Sequence, residues 1–195
     1  SVPGMIIVKC ISHGSTDWTV FHRDNGNPVY SNGGSVYGSF LNTTAAADPS
    51  AAYWNNTAPT STVFTVYVGD KVNATGKNYI AYIFAADTPG VIKCGTYTGT
   101  GSSQTIDTGF KPEFVITKSR SHSSDWYLMD SENSGQALYA NSGNGQQTVP
   151  IGYVNNGFTV DGANSALNAS GYEYIYMAIA ENAEVDITSD IYASG

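Results

Sequence analysis

Two places in the sequence set a histidine just ahead of an Asp-Trp pair: His13 before Asp17-Trp18, and His122 before Asp125-Trp126. An imidazole near a carboxylate is the minimum for general-base chemistry or for the start of a metal site. A metal needs three or four converging ligands, and each place offers a single His, so a turn-stabilising role is the expectation. Asp161 with Asn164, and Asp130 with Glu132 and Asn133, carry the oxygens that calcium prefers. Neither group sits in a twelve-residue calcium loop, and both read as solvated turns. No Gly-x-Ser-x-Gly elbow presents a serine nucleophile. Carboxylate pairs for glycoside cleavage remain open, because their separation is not legible in a sequence. Residues 95–101 are Gly-rich but lack the Lys-Ser/Thr ending of a phosphate-cradling loop. The expectation is a non-enzyme with no cofactor and no metal.

The aromatic residues offer binding chemistry instead. Tyr53-Trp54-Asn55-Asn56-Thr57 combines flat apolar faces with amides and a hydroxyl, the combination that stacks on sugar rings and reads sugar hydroxyls. These five residues are the candidate ligand contacts. For Trp54 the competing role is to anchor its loop in the core, which is favoured because an exposed Trp is costly. Trp18 and Trp126 occupy matching positions and are expected to pack in the core.

Those matching positions belong to an internal repeat, the feature to seek first in such a chain. Residues 3–18 align with 112–126, Gly14 having no counterpart, and eight of the 15 aligned pairs are identical. The identities include Pro3/Pro112, Lys9/Lys118, His13/His122, Asp17/Asp125 and Trp18/Trp126. A second block follows in the same order: Phe64-Thr65-Val66 with Phe158-Thr159-Val160, Asn73-Ala74-Thr75-Gly76 with Asn168-Ala169-Ser170-Gly171, and Tyr79-Ile80 with Tyr174-Ile175. A weaker third match sets Ile187 and Tyr192 where residues 90–97 hold Ile92 and Tyr97. The expected organisation is one domain, 1–195, of two repeats (about 1–89 and 90–184) related by a pseudo-two-fold axis. Residues 185–195 then form a strand closing onto the first repeat. The first copy is longer between its Trp and its Phe, 46 residues against 32, and the extra length falls around 42–62. Insertions of this kind map to surface loops, where binding residues concentrate.

Composition narrows the class. Eight basic residues face 16 acidic ones, a net charge of −8, so there is no basic stripe for nucleic acid and little attraction to anionic membranes. No apolar run approaches the length of a membrane span, and no signal peptide is visible at the start. Only 12% of residues are charged, while Gly, Ser, Thr, Asn and Tyr abound, which suits short strands joined by tight turns. Strands are expected at 5–11, 19–22, 63–68, 79–85, 114–119, 126–130 and 174–180, where β-branched and aromatic residues cluster. Turns are expected at Asn25-Gly26, Asn32-Gly33, Asn156-Gly157, Asp161-Gly162 and the two Asn-Ala-Thr/Ser-Gly stretches. The one helical candidate is the Ala-rich 43–52, which Pro49 would interrupt. The sum is an all-β chain, a β-sandwich or jelly roll. Cys10 and Cys94 are expected to be unpaired.

Several runs, among them Met5-Ile-Ile-Val-Lys9, the stretch from Tyr53 to Phe64, Tyr79-Ile-Ala-Tyr-Ile-Phe-Ala85, Gly95-Thr-Tyr-Thr-Gly-Thr-Gly101, Gly109-Phe-Lys-Pro112 and the run from Tyr174 to Glu181, resemble a repeated module of tail proteins in marine and cyanobacterial bacteriophages. The resemblance covers nearly the whole chain. It implies a virion surface protein, an adhesive fibre or tail head that binds host surface glycan or protein. It also implies contacts with other virion proteins and homo-oligomers, trimers favoured. The alternative expectation is a protein that decorates or cements the capsid, motivated by the lack of a visible virion-attachment region. The family brings no catalytic motif.

Overall fold

The computed structural model describes residues 1–26 and 35–181, which are all β, with turns and loops and no helix. The expected turn at Asn32-Gly33 and the expected closing strand at 185–195 lie outside the described residues. In the first half, β1 (Pro3–Cys10), β2 (Thr19–His22), β3 (Ser39–Phe40) and β4 (Tyr79–Ala85) make an antiparallel sheet in the order β3-β2-β1-β4. The chain continues through β5 (Asp87–Thr88), β6 (Ile92–Thr98), β7 (Gln104–Asp107), β8 (Pro112–Ser119), β9 (Tyr127–Asp130), β10 (Gln136–Tyr139) and β11 (Gln147–Thr148). It ends with β12 (Ile151–Val154), β13 (Gly157–Val160) and β14 (Glu173–Ala180). A seven-stranded sheet runs β11-β10-β9-β8-β14-β6-β5, and a three-stranded one runs β12-β13-β7.

The sheets stack in sandwich fashion, and strand periodicity sets which residues meet. On β1, Met5 and Ile7 face the seven-stranded sheet, where Ile116, Trp126, Ile175 and Met177 receive them. The alternate residues Ile6 and Val8 face outward and are covered, with Phe21, by Trp54, Val36 and Val72 from loops. The seven-stranded sheet is also buried on both sides: Val115, Met129, Tyr176 and Ala178 pack against Ile106, Phe158 and Val160 of the three-stranded sheet. Double-sided burial explains why β1 and β14 read as continuous apolar runs rather than as alternating ones.

Polar contacts tie the first four-stranded sheet to the seven-stranded one. The Trp126 indole N–H donates to the Phe40 carbonyl (2.9 Å). Arg120 donates to the Gly26 carbonyl and pairs with Glu173, each at 2.7 Å. His22 Nε2–H donates to the Tyr176 carbonyl (2.9 Å), and the amide N–H of Asp24 donates to His22 Nδ1 (3.2 Å). That pair of bonds uses both ring nitrogens of one neutral tautomer.

The expected strands at 19–22 and 79–85 coincide with β2 and β4, and those at 5–11, 114–119, 126–130 and 174–180 shift by one or two residues at their ends. Residues 63–68 are not a strand. Their sequence counterpart, β13, gains its ladder from β12 on one side and β7 on the other, and no described strand flanks 63–68 in either way. Residues 43–52 are not helical; the backbone there is pinned by long-range bonds, including Asp48 with Gly38 and the Ala47 N–H to the Arg120 carbonyl. The Asn156-Gly157 turn is displaced by one residue. Asn155 and Asn156 form it, and Gly157 opens β13 opposite Asp107. A Cβ on Gly157 would lie 2.0 Å from the Ile106 carbonyl oxygen. Gly157→Ala must therefore push β7 away and is expected to cost about 1–3 kcal/mol, read as a lower urea midpoint. An unchanged midpoint would mean that β7 does not hold this distance.

Candidate functional site

Trp18 and Trp126 are held by the same local network. Asn42 Oδ1 accepts the Trp18 N–H (2.9 Å), and Asn42 Nδ2 donates to Asp17 (2.9 Å). Asn141 Oδ1 accepts the Trp126 N–H (2.7 Å), and Asn141 Nδ2 donates to Asp125 (2.7 Å). The two aspartates thus orient asparagines. Asp17 is also paired with Lys71 at 2.7 Å, and with the Asn42 bond this holds its carboxyl below the usual range against the desolvation that would raise it. Tyr79 and Tyr174 match in the same manner: each hydroxyl accepts a backbone N–H from Ala74 or Ala169 and donates to the carbonyl of Asp70 or Ser165. Sequence reasoning missed Asn42 and Asn141 as partners, although Asp-Trp recurring in both halves was the available signal.

The surroundings of the two tryptophans differ. Trp126 is 1% exposed, capped by Phe40 and packed near Leu41. Trp18 is half-buried and lines an open hollow of about 620 Å³ with Lys9, Ser12, His13, Ile80 and Tyr82. The hollow is lined from the first half alone. Trp18 and Tyr82 lie nearly parallel, 6.4 Å apart at 23°, and Tyr82 is 44% exposed. The Lys9 ammonium sits 5.8 Å from the Trp18 ring centre and donates to Thr16. Its counterpart Lys118 is wholly buried, donating to the carbonyls of Thr44, Ser119 and His122 and to the Ser124 hydroxyl; burial pushes its pKa down to about 8. The second half thus buries both its Lys118 and its Trp126, and the first leaves Lys9 and Trp18 at an open hollow. Tyr82 stands where β14 has Met177, a difference the repeat alignment contains.

The five candidate ligand residues in the insertion are placed otherwise. Trp54 is 1% exposed and packs edge-on against Phe21 at 5.7 Å, so of its two expected roles the structure places it as the core anchor. Tyr53 packs on Phe40 and donates its hydroxyl to Asp48 (2.7 Å). Asn55 and Asn56 take left-handed backbone angles (φ 50° and 48°), which Asn tolerates. Asn56 Oδ1 accepts the Val36 N–H (2.7 Å), and the Thr57 hydroxyl donates to the Asn55 carbonyl (2.9 Å). The exposed side of this turn is polar: Trp54 is turned inward, Tyr53 is half-buried, and Asn55, Asn56 and Thr57 are exposed. A second hollow of about 560 Å³, lined by Val2, Pro3, Phe21, Arg23, Asp24 and Pro59, holds one aromatic ring, Phe21, which is itself buried.

Among the described residues, no three His, Cys, Asp or Glu side chains converge as a metal site would require, and no helix is long and apolar enough to cross a membrane. His122 stacks on Tyr172 at 3.5 Å, while His13 is exposed at the rim of the hollow. Cys10 and Cys94 are free and buried, and burial pushes the Cys94 thiol up to about 12. No curated protein and no solved structure matches the chain. Residues 1–183 match the family described as Domain of unknown function (DUF7483), and the chain belongs to that family.

Proposed function

We propose that this protein is a non-enzymatic bacteriophage virion surface module that adheres to host-surface glycan through the Trp18–Tyr82 hollow. The observation that carries the binding site is a pair of near-parallel aromatic rings, half-buried Trp18 and exposed Tyr82, lining an open hollow with Lys9, Ser12 and His13 at its rim. Sugar rings pack on such faces, and the polar rim supplies donors for hydroxyls. The virion assignment draws on the resemblance to phage tail modules. Many weak sites acting together on a homo-oligomer, a trimer by preference, would give the avidity that adhesion needs.

The scaffold of this reading is a duplicated unit with a pseudo-two-fold relation between its copies. Three features support it: the parallel strand orders β3-β2-β1-β4 and β10-β9-β8-β14, the twin Asp-Trp-Asn networks, and the twin tyrosine seats. Duplication frees one Lys-Trp site for binding while the other stays structural.

Binding of purified bacterial surface polysaccharide to the wild type, Trp18→Ala and Tyr82→Ala, followed by calorimetry, tests the site. Each aromatic truncation is expected to weaken binding at least tenfold, in line with about 1–3 kcal/mol per stacked ring in comparable single-strand sites, with the thermal midpoint close to the wild type for Tyr82→Ala. Equal affinity in all three would sink the hollow as the site. Cryo-electron microscopy of purified virions tests the location: density at tail or fibre tips fits adhesion, and a regular array on the head would replace it with capsid decoration.

A further inference from the structure

We infer that the Trp18–Tyr82 hollow selects sugar acids of the uronate class, with the Lys9 ammonium pairing with the sugar carboxylate. The inference rests on the hollow being a glycan site and adds the class of glycan that it takes.

The two repeat-equivalent lysines show what Lys9 has left to give. Lys118 is 0% exposed, and its ammonium meets four oxygens, the carbonyls of Thr44, Ser119 and His122 and the Ser124 hydroxyl, at 2.8 to 3.4 Å. Three N–H donors among four acceptors leave nothing to offer a ligand. Lys9 is half-buried, and among the described residues its ammonium meets Thr16 alone, through the carbonyl and the hydroxyl. At least one of its three N–H groups is therefore free at the hollow that Lys9 lines. The ammonium stands 5.8 Å from the Trp18 ring centre, so a sugar in contact with that ring also meets it.

The local charge has one sign. Sixteen acidic residues face eight basic ones in this chain, yet no carboxylate lines the hollow, while Lys9 and His13 do. The carboxylate next to Trp18, that of Asp17, is taken by Lys71 at 2.7 Å and Asn42 at 2.9 Å, and it feels the Lys9 charge more weakly than it feels Lys71. The net charge of −8 repels an acidic polymer from afar, but salt screens that repulsion beyond about 8 Å at physiological ionic strength. Within that distance the lysine decides.

A uronate matches both halves of the site. Its pyranose face packs on the aromatic rings, and its single negative charge accepts a charge-assisted bond from a single ammonium. No arginine, whose fork would favour a phosphate, lines the hollow. At the rim the Ser12 oxygen accepts the Asn78 N–H (2.9 Å), which leaves its own O–H to give to a sugar oxygen, with the Cys10 sulfur 3.9 Å away as a weak alternative.

Carboxyl reduction of the ligand separates the charge from the sugar ring. Capsular polysaccharides rich in glucuronate or galacturonate are titrated into the full chain by calorimetry, before and after carbodiimide–borohydride reduction of their carboxylates to alcohols. The wild type is expected to bind the native form at least tenfold more tightly than the reduced form, and the ratio is expected to shrink as salt rises from 50 to 500 mM, a range over which the screening length shortens severalfold. Lys9→Gln should bring the two forms within threefold of each other, whereas Lys9→Arg should keep the preference. Trp18→Ala should weaken both forms. Equal binding of the two forms by the wild type, or an undiminished preference in Lys9→Gln, overturns the acidic-sugar assignment; a Trp18→Ala loss on both forms would then leave the aromatic site standing. Binding of neither form, or none that Trp18→Ala weakens, overturns both readings.

Discussion

Trp126→Ala and Trp54→Ala are each expected to lower stability by about 3–5 kcal/mol, while Trp18→Ala costs about 1–2 kcal/mol. The three tryptophans of this chain sort by what lies over their rings. Trp126 is closed in by Met5, Val20 and Met177, and its N–H is satisfied by the Phe40 carbonyl. Truncation there leaves a cavity between two sheets and removes one of the donors to the Phe40 carbonyl, which keeps the Thr43 N–H. Trp54 holds the 53–72 segment against β1 and β2 through Ile6, Val8 and Phe21. Its indole nitrogen is buried and finds no partner among the described residues, so its whole contribution is packing. Trp18 already meets solvent on one side, and only part of its area returns to water on unfolding. Urea unfolding of the three variants measures the order. A Trp18→Ala loss as large as that of Trp126→Ala would mean that the hollow is closed in solution and would remove the proposed binding face.

Acid should unfold this protein through one histidine. His22 is 2% exposed, sits between the sheets, and is neutral in its hydrogen bonding: Nε2–H donates to Tyr176, and Nδ1 accepts from Asp24. Burial first, and then the nearby Arg23 and Arg120 guanidiniums, push its pKa down from 6.5 to about 4. Above pH 6.5 both the folded and the unfolded imidazole are neutral, and the group has no effect. As pH falls from 6.5 towards 4, the unfolded chain takes up a proton that the folded chain refuses, so stability drops by about 3 kcal/mol across that window. Asp24, whose carboxyl burial raises, acts in the opposite direction at the acid end. The measurement is the urea midpoint from pH 7.5 to 4 for the wild type and His22→Gln. The variant is expected to start less stable and to lose most of the slope between 6.5 and 4. An equal slope in both would assign the acid sensitivity elsewhere.

Much of the architecture was legible in the sequence. Strand alternation and β-branched clusters are local signals, and they placed β2 and β4 at their observed bounds and β1, β8, β9 and β14 within one or two residues. The Asn-Ala-Thr/Ser-Gly turns were equally legible, because Gly76 and Gly171 need the left-handed backbone that glycine allows (φ +71° and +78°). Residues 63–68 were misjudged because strand status depends on neighbours that supply hydrogen bonds, and no described strand flanks them as β12 and β7 flank β13. In the insertion, Tyr53 to Thr57 has the composition of a binding turn, and composition does not say which side faces the core; the cost of an exposed Trp favoured the anchor role for Trp54, and Trp54 is buried. The sequence by itself located β1, β2, β4, β8, β9 and β14, the two Asn-Ala-Thr/Ser-Gly turns and the matching Asp-Trp and tyrosine positions, since β-branched clusters and glycine turns are local signals. Only the tertiary structure decided which tryptophan is covered: identical local networks place Trp18 and Trp126, and packing between sheets seals one and leaves the other open to solvent.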